Sequence, residues 1–131
     1  MKILVTGEHG QLGNELRRCF ETMEAEIGPI PEEYRDAEVD YIDYQVLDIS
    51  DADAVDAWYA EHGPYDLTIN CAAITNVDGC EQNEAAALHV NAIGAENMAR
   101  AAQGCGGKIA HISTDYVFPG TNPVPRVETD A

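Results

Sequence analysis

Lys2-Ile3-Leu4-Val5-Thr6-Gly7-Glu8-His9-Gly10-Gln11-Leu12-Gly13 decides the reading of the fold. The first five residues are a short apolar run of the kind that forms a strand buried on both faces, as in a parallel sheet. The run ends abruptly at Gly7. From Gln11 the period changes: Leu12, Leu16, Cys19, Phe20 and Met23 recur at helical spacing, while Glu15, Arg17, Arg18 and Glu21 fall elsewhere. Strand, glycine turn and helix form one unit, and the turn has the spacing G-x-x-G-x-x-G. Three glycines alone mark only a turn. Between a strand and a helix they match the dinucleotide fingerprint, in which Gly7 turns the chain off the strand. Gly10 then admits backbone close to a pyrophosphate, and Gly13 brings the helix against the sheet. The backbone around Gly10, Gln11 and Leu12 would face phosphates at a helix amino terminus, where the dipole favours anions.

The same alternation continues outward. Gly28-Pro29-Ile30-Pro31 closes the first helix, an acidic connector follows (Glu32, Glu33, Asp36, Glu38), and Val39 to Leu47 carries strand-forming residues. Ser50 reads as a helix N-cap with Asp53 three residues on. Ala52, Val55 and Trp58/Tyr59 form an apolar stripe, and His62-Gly63-Pro64 ends it. Asp66 to Cys71 is the next strand, followed by the small-residue turn Ala72-Ala73. A long helix is expected from about Asp78 to Ala102, stopped by Gly104, Gly106 and Gly107. Lys108 to Ser113 is the last strand, and the tail from Pro119 reads as irregular. Strands alternating with helices imply an α/β fold: a Rossmann-type, doubly wound parallel sheet of about five strands, incomplete at its carboxyl side, in a single domain over residues 1–131.

A Rossmann site also needs an acid at the end of its second strand to accept hydrogen bonds from the adenosine ribose. Asp43 is the candidate and Asp40 its rival. Asp43 lies 30 residues after Gly13, against the usual ~20, and the connector absorbs the difference. Asp48 and Ile49 could border the adenine. Cys71, Ala72 and Ala73 are small enough to let backbone approach the nicotinamide half, although a tight strand-to-helix turn would use the same residues.

Composition narrows the function. Seven Lys and Arg against 24 Asp and Glu give a net charge of −17. Such a surface repels nucleic acid and anionic membranes, so no nucleic-acid or membrane partner is expected. A phosphate site here must work through local backbone N–H groups. No apolar run approaches the ~20 residues of a membrane span. The amino terminus meets its glycine turn too early for a signal peptide, so a cytoplasmic location is expected. Cys19, Cys71, Cys80 and Cys105 show no metal-like spacing with one another or with His9, His62, His89 and His111. No metal or disulfide is expected. Cys19 and Cys71 read as buried, reduced thiols.

Several segments together resemble one family. V-T-G-x-x-G-Q-L-G, L-D-I-S-D at 47–51, N-C-A-A-I-T-N-V-D-G-C-E at 70–81, V-N-A-I-G at 90–94 and I-S-T-D-Y-V-F-P-G at 112–120 are similar to the dTDP-4-dehydrorhamnose reductases. These belong to the extended short-chain dehydrogenase/reductase class. The resemblance implies reduction of the 4-keto group of a dTDP-sugar by NADPH or NADH, in the synthesis of dTDP-L-rhamnose. It implies that Thr114 hydrogen-bonds the substrate carbonyl, with Ser113 a weaker candidate and Asp115 and Tyr116 beside the sugar. It also implies a catalytic Tyr-x-x-x-Lys motif, and the sequence departs from that. Its two lysines, Lys2 and Lys108, do not follow a Tyr by four. The chain is therefore expected to be the cofactor-binding part, inactive alone. Tyr44 stands where many relatives place an Arg for the 2′-phosphate of NADPH, which tilts the expectation toward NADH. The regulatory subunit of methionine adenosyltransferase is similar around S-D-Y-V-F-x-G, so a non-catalytic binding or interaction module is the alternative. A fragment of a nucleotide-sugar epimerase or dehydratase is another. An exposed sheet edge at Lys108–Ser113 would favour a homo-oligomer.

Overall fold

The computed structural model describes residues 1–118, 120–121 and 124–129; part of the tail from Pro119 lies outside them. In chain order the elements are β1 (Lys2–Thr6), α1 (Gln11–Thr22), the two-residue strands β2 (Glu24–Ala25) and β3 (Gly28–Pro29), and β4 (Glu38–Ile42). They continue with α2 (Ala52–His62), β5 (Leu67–Asn70), α3 (Val77–Gln82), α4 (Glu84–Leu88), a π-helical segment His89–Gly94, α5 (Ala95–Gly104) and β6 (Lys108–His111). Among the described residues the main sheet has four parallel strands in the order β4-β1-β5-β6, and β2 and β3 form a small antiparallel pair.

Strand parity assigns the faces. Leu4 and Thr6 pair in register with Asp40 and Ile42 on one side and with Thr68 and Asn70 on the other. This face receives α2 and α5, and the core is there: Leu4, Val55 and Met98 are fully buried, with Ile42, Leu47, Ile49, Tyr59, Tyr65, Ala101 and Ala102 around them. Each large side chain fully buried in this way contributes about 1.5–3 kcal/mol. The opposite face, with Ile3, Val5, Leu67 and Ile69, lies under α1. There Leu16, Cys19 and Phe20 meet Leu67 and Ile69 across an apolar recess of about 190 Å³.

The polar groups in this core are satisfied. The Tyr65 hydroxyl donates to Asp40 (2.7 Å) and accepts from the Trp58 indole N–H (3.2 Å). Tyr59 and Thr68 share a hydrogen bond of 2.6 Å, and burial pushes the Tyr59 phenol up to about 12. Asp40, the rival for the ribose, is thus committed to Tyr65 and lies 3.5 Å from the Lys2 ammonium.

Five expectations are corrected. Among the described residues the sheet has four strands, not about five. The strand expected to run on to Leu47 ends at Ile42, because the N–H groups of Val46 and Leu47 both turn back to the Asp43 carbonyl. Leu47 and Ile49 still reach the core from this turn. The N-cap of α2 is Asp51, not Ser50. Asp51 accepts from the N–H groups of Asp53 (3.0 Å) and Ala54 (3.1 Å), while Ser50 closes on the Asp48 carboxylate.

The expected long helix from Asp78 is broken. Asn83 leaves helical geometry and caps α4 through Ala86 N–H, and the next turn opens into the π-helical segment before α5 begins. Cys19 is buried as expected, whereas Cys71 is only half-buried. All four cysteines are free thiols. No helix among the described residues is long and apolar enough to cross a membrane.

Candidate functional site

The residues singled out in the sequence gather at the carboxyl ends of β1, β4, β5 and β6, where ligands of open parallel sheets collect. Gly7 has a φ of +70°, which an L side chain rarely adopts. A Cβ there would also lie 3.0 Å from the backbone of Cys71 and Ala72. The glycine turn and the segment after β5 therefore touch directly. Gly10 is the N-cap residue of α1, and no side chain caps that helix. The first intrahelical bond is Asn14 N–H to the Gly10 carbonyl. The N–H groups of Gln11, Leu12 and Gly13 precede the first residue able to bond back along the helix. Asp51, Asn76 and Asn83 do cap α2, α3 and α4. Gly13 is buried, and a Cβ on it would come within 2.2 Å of the Gly7 carbonyl oxygen.

Asp43 follows directly after β4 and reaches the turn. Its Oδ2 lies 2.8 Å from Nδ1 of His9, and its Oδ1 accepts the Tyr44 N–H at 2.5 Å. Partial desolvation works against the charged form. Hydrogen bonds from the His9 ring and from the Tyr44 and His9 N–H groups outweigh it and hold the carboxyl below its ordinary value. The Glu8 N–H donates to the Ile42 carbonyl at 3.2 Å, which fixes the turn against the end of β4. Asp48 is exposed, and the Ser50 hydroxyl and N–H lower its pKa. Ile49 is buried in the core, and the Asn97 amide holds this loop by donating to the Ile49 and Ser50 carbonyls.

A chain of side-chain hydrogen bonds runs beneath the site. The Ala72 N–H donates to the Thr6 hydroxyl (3.2 Å), which donates to Asn70 Oδ1 (2.6 Å). The Asn70 amide nitrogen lies 3.1 Å from Nδ1 of His111. Since Asn70 donates through that nitrogen, His111 Nδ1 accepts. The strand ends are thereby tied from the glycine turn to the edge strand. Beyond His111, Ser113, Thr114, Asp115 and Tyr116 are all exposed. The Thr114 hydroxyl accepts from the Tyr116 N–H at 3.3 Å and caps the 3₁₀ turn Asp115–Val117. The Cys71 thiol is half-buried, and desolvation pushes its pKa up.

Sequence reasoning missed three participants. His9 occupies a free position of the glycine motif, so its pairing with Asp43 leaves no spacing signature. Asn91 lies in the π-helical segment, and its amide both accepts from the Ile74 N–H (2.8 Å) and donates to the Ile74 carbonyl (3.0 Å). That clamps the segment after β5. A regular helical period cannot announce a π turn, although such turns recur at functional sites. Asn70 enters the sequence reading only as a strand end and as the first residue of the 70–81 segment, with no role of its own; a polar residue at the end of a buried strand is the available clue.

The family model described as the RmlD substrate binding domain matches residues 1–131. The chain is 40% identical over 133 residues to a dTDP-4-dehydrorhamnose reductase of Mycobacterium tuberculosis (strain ATCC 25618 / H37Rv), covering 98% of this chain and 39% of that protein. Its structure is similar to that of a Clostridium acetobutylicum dTDP-4-dehydrorhamnose reductase, with a TM-score of 0.83 and 41% identity, covering 100% of this chain and 42% of the other. It is also similar to that of a Bacillus anthracis dTDP-4-dehydrorhamnose reductase in complex with NADP, with a TM-score of 0.76 and 36% identity, covering 93% of this chain and 39% of the other. The chain thus spans about two fifths of the length of the relatives it matches.

Proposed function

Since this chain belongs to the RmlD substrate binding domain family, we propose that its 131 residues form one dinucleotide-binding domain. The whole protein then reduces the 4-keto group of a dTDP-linked deoxysugar, with NADPH or NADH as hydride donor. The observation that carries the reading is the uncapped amino terminus of α1 behind the glycine turn. The residues present fit such a group. Among the described residues away from its own chain neighbours and helix, a Cβ on Gly10 would approach the Gly7 carbonyl oxygen, at 3.2 Å, so the far side of that residue is open to a ligand.

In this reading the N–H groups of Gln11, Leu12 and Gly13 hold the pyrophosphate, while the Gly10 N–H stays on the Gly7 carbonyl at 3.0 Å, and Asp43 accepts from the adenosine ribose. Asp48 and Ile49 border the adenine, and the backbone of Cys71, Ala72 and Ala73 runs beside the nicotinamide half. The bound dinucleotide supplies the hydride. Thr114 donates to the substrate carbonyl, polarising it, while Ser113, Asp115 and Tyr116 flank the sugar. The location that suits this chemistry is the cytoplasm.

Amide-resolved NMR of the chain tests the reading. On adding NADPH, the resonances of Gln11, Leu12, Gly13 and Ala72 are expected to shift most. Shifts confined to other surfaces would contradict it.

A second reading has one observation in its favour. Among the described residues β6 is bonded only to β5, leaving its outer edge unpaired. Such an edge suits pairing with a second copy of the chain. Sedimentation is expected to return a dimer if it does, and a monomer would sink this reading.

A further inference from the structure

The end of β4 poses a problem for NADPH. Asp43 is an acid where the 2′-phosphate would come, and Asp43-Tyr44-Gln45 includes no Lys or Arg. Arg17 on α1 is already paired with Glu8 and stacked over the Tyr41 ring at 4.0 Å. His9 is different. Its side chain is 77% exposed, so it projects from the glycine turn while its Nδ1 holds Asp43. The other ring nitrogen is left to face a ligand.

We propose that His9 sets the choice between NADPH and NADH, a step that rests on the dinucleotide reading above. When protonated, His9 converts Asp43 from a group that repels a phosphate into half of a neutral pair. It also presents Nε2–H as a charged donor to the 2′-phosphate. When neutral, it leaves Asp43 anionic and open to the ribose hydroxyls, which favours NADH. The charged groups on the elements around His9 are Asp43 after β4, Glu8 in its own turn and Arg17 on α1. Asp48 lies further along the same loop. Glu8 and Arg17 neutralise each other, and Asp48 is satisfied by Ser50. Asp43 is therefore the partner that decides the balance.

An imidazole changes charge between pH 5 and 8, so the preference must depend on pH. The test is calorimetric titration of the 131-residue chain and of His9→Gln with NADPH and with NADH, at pH 6 and pH 8. The phosphomonoester of NADPH has its own second pKa near ~6, but that contribution is common to both proteins. In the unmodified chain the preference for NADPH over NADH is expected to rise about tenfold more, on going from pH 8 to 6, than in His9→Gln. Equal pH dependence in the two proteins would overturn the proposal and leave the dinucleotide site standing. No binding of either dinucleotide at either pH would overturn both.

Discussion

Gly13→Ala is expected to remove dinucleotide binding and to destabilise the fold together. The new Cβ would lie 2.2 Å from the Gly7 carbonyl oxygen and 2.7 Å from the Glu8 Cα. Both are backbone atoms, and the Cβ position is fixed by the residue's own backbone, so no rotamer relieves the clash. The first turn of α1 must move off the glycine turn. The free N–H groups of Gln11 and Leu12 move with it. An overpacking of this kind costs about 2–3 kcal/mol, or roughly 10 °C in Tm for a chain of this size. Displacing a preorganised site by about 1 Å is enough to lose on the order of 100-fold in its function.

Gly10→Ala separates the two effects. Its Cβ meets only the Gly7 carbonyl oxygen, at 3.2 Å, so Tm should stay near that of the parent while NADPH affinity falls. Thermal melts and calorimetry on both variants check this. A Gly13→Ala chain with unchanged Tm and affinity would show that the helix is not seated on the turn.

The 131-residue chain by itself is expected to show no turnover of dTDP-4-dehydrorhamnose with NADPH. Thr114 could polarise a carbonyl, but an alkoxide must also be protonated, and a positioned general acid is worth about 10²–10⁴-fold. In the family resemblance that acid is the Tyr of Tyr-x-x-x-Lys, its pKa lowered by the Lys. Neither lysine present can serve. Lys2 donates to the His62 carbonyl at 2.7 Å and pairs with Glu38 and Asp40 at the amino ends of the strands. Lys108 opens β6, with the whole strand between it and Thr114. The expected loss is larger than the acid alone would give, because the relatives carry more than half of their length outside the matched region. Steady-state oxidation of NADPH in the presence of the sugar nucleotide checks it. Turnover dependent on Thr114 would contradict the assignment of an absent acid.

Much of the fold was legible in the sequence because strand and glycine-turn signals are local. Lys2–Thr6 coincides with the expected strand, and Gly7 adopts the positive φ that the motif requires. The helix stop at Gly104–Gly107 also follows the reading, with Gly106 at φ +78°. What failed were boundaries decided by competition between similar groups. Ser50 and Asp51 are both good caps, and Asp48 captured Ser50 first. The strand-forming residues after Ile42 lost to a turn closed by the Asp43 carbonyl. At the site, the glycines were visible as a spacing, but the His9–Asp43 pair spans 34 positions. The Asn91 clamp depends on a π turn. Contacts of that kind arise only once the sheet has brought distant residues together.

The central claim is that the turn from Gly7 to Gly13 is an assembled dinucleotide site. Calorimetric titration of the 131-residue chain with NADPH and with NADH tests it most directly. Saturable binding with one site per chain is expected, with lower affinity in Gly10→Ala. Absence of heat with both dinucleotides, from a chain whose cooperative melt shows it folded, would contradict it.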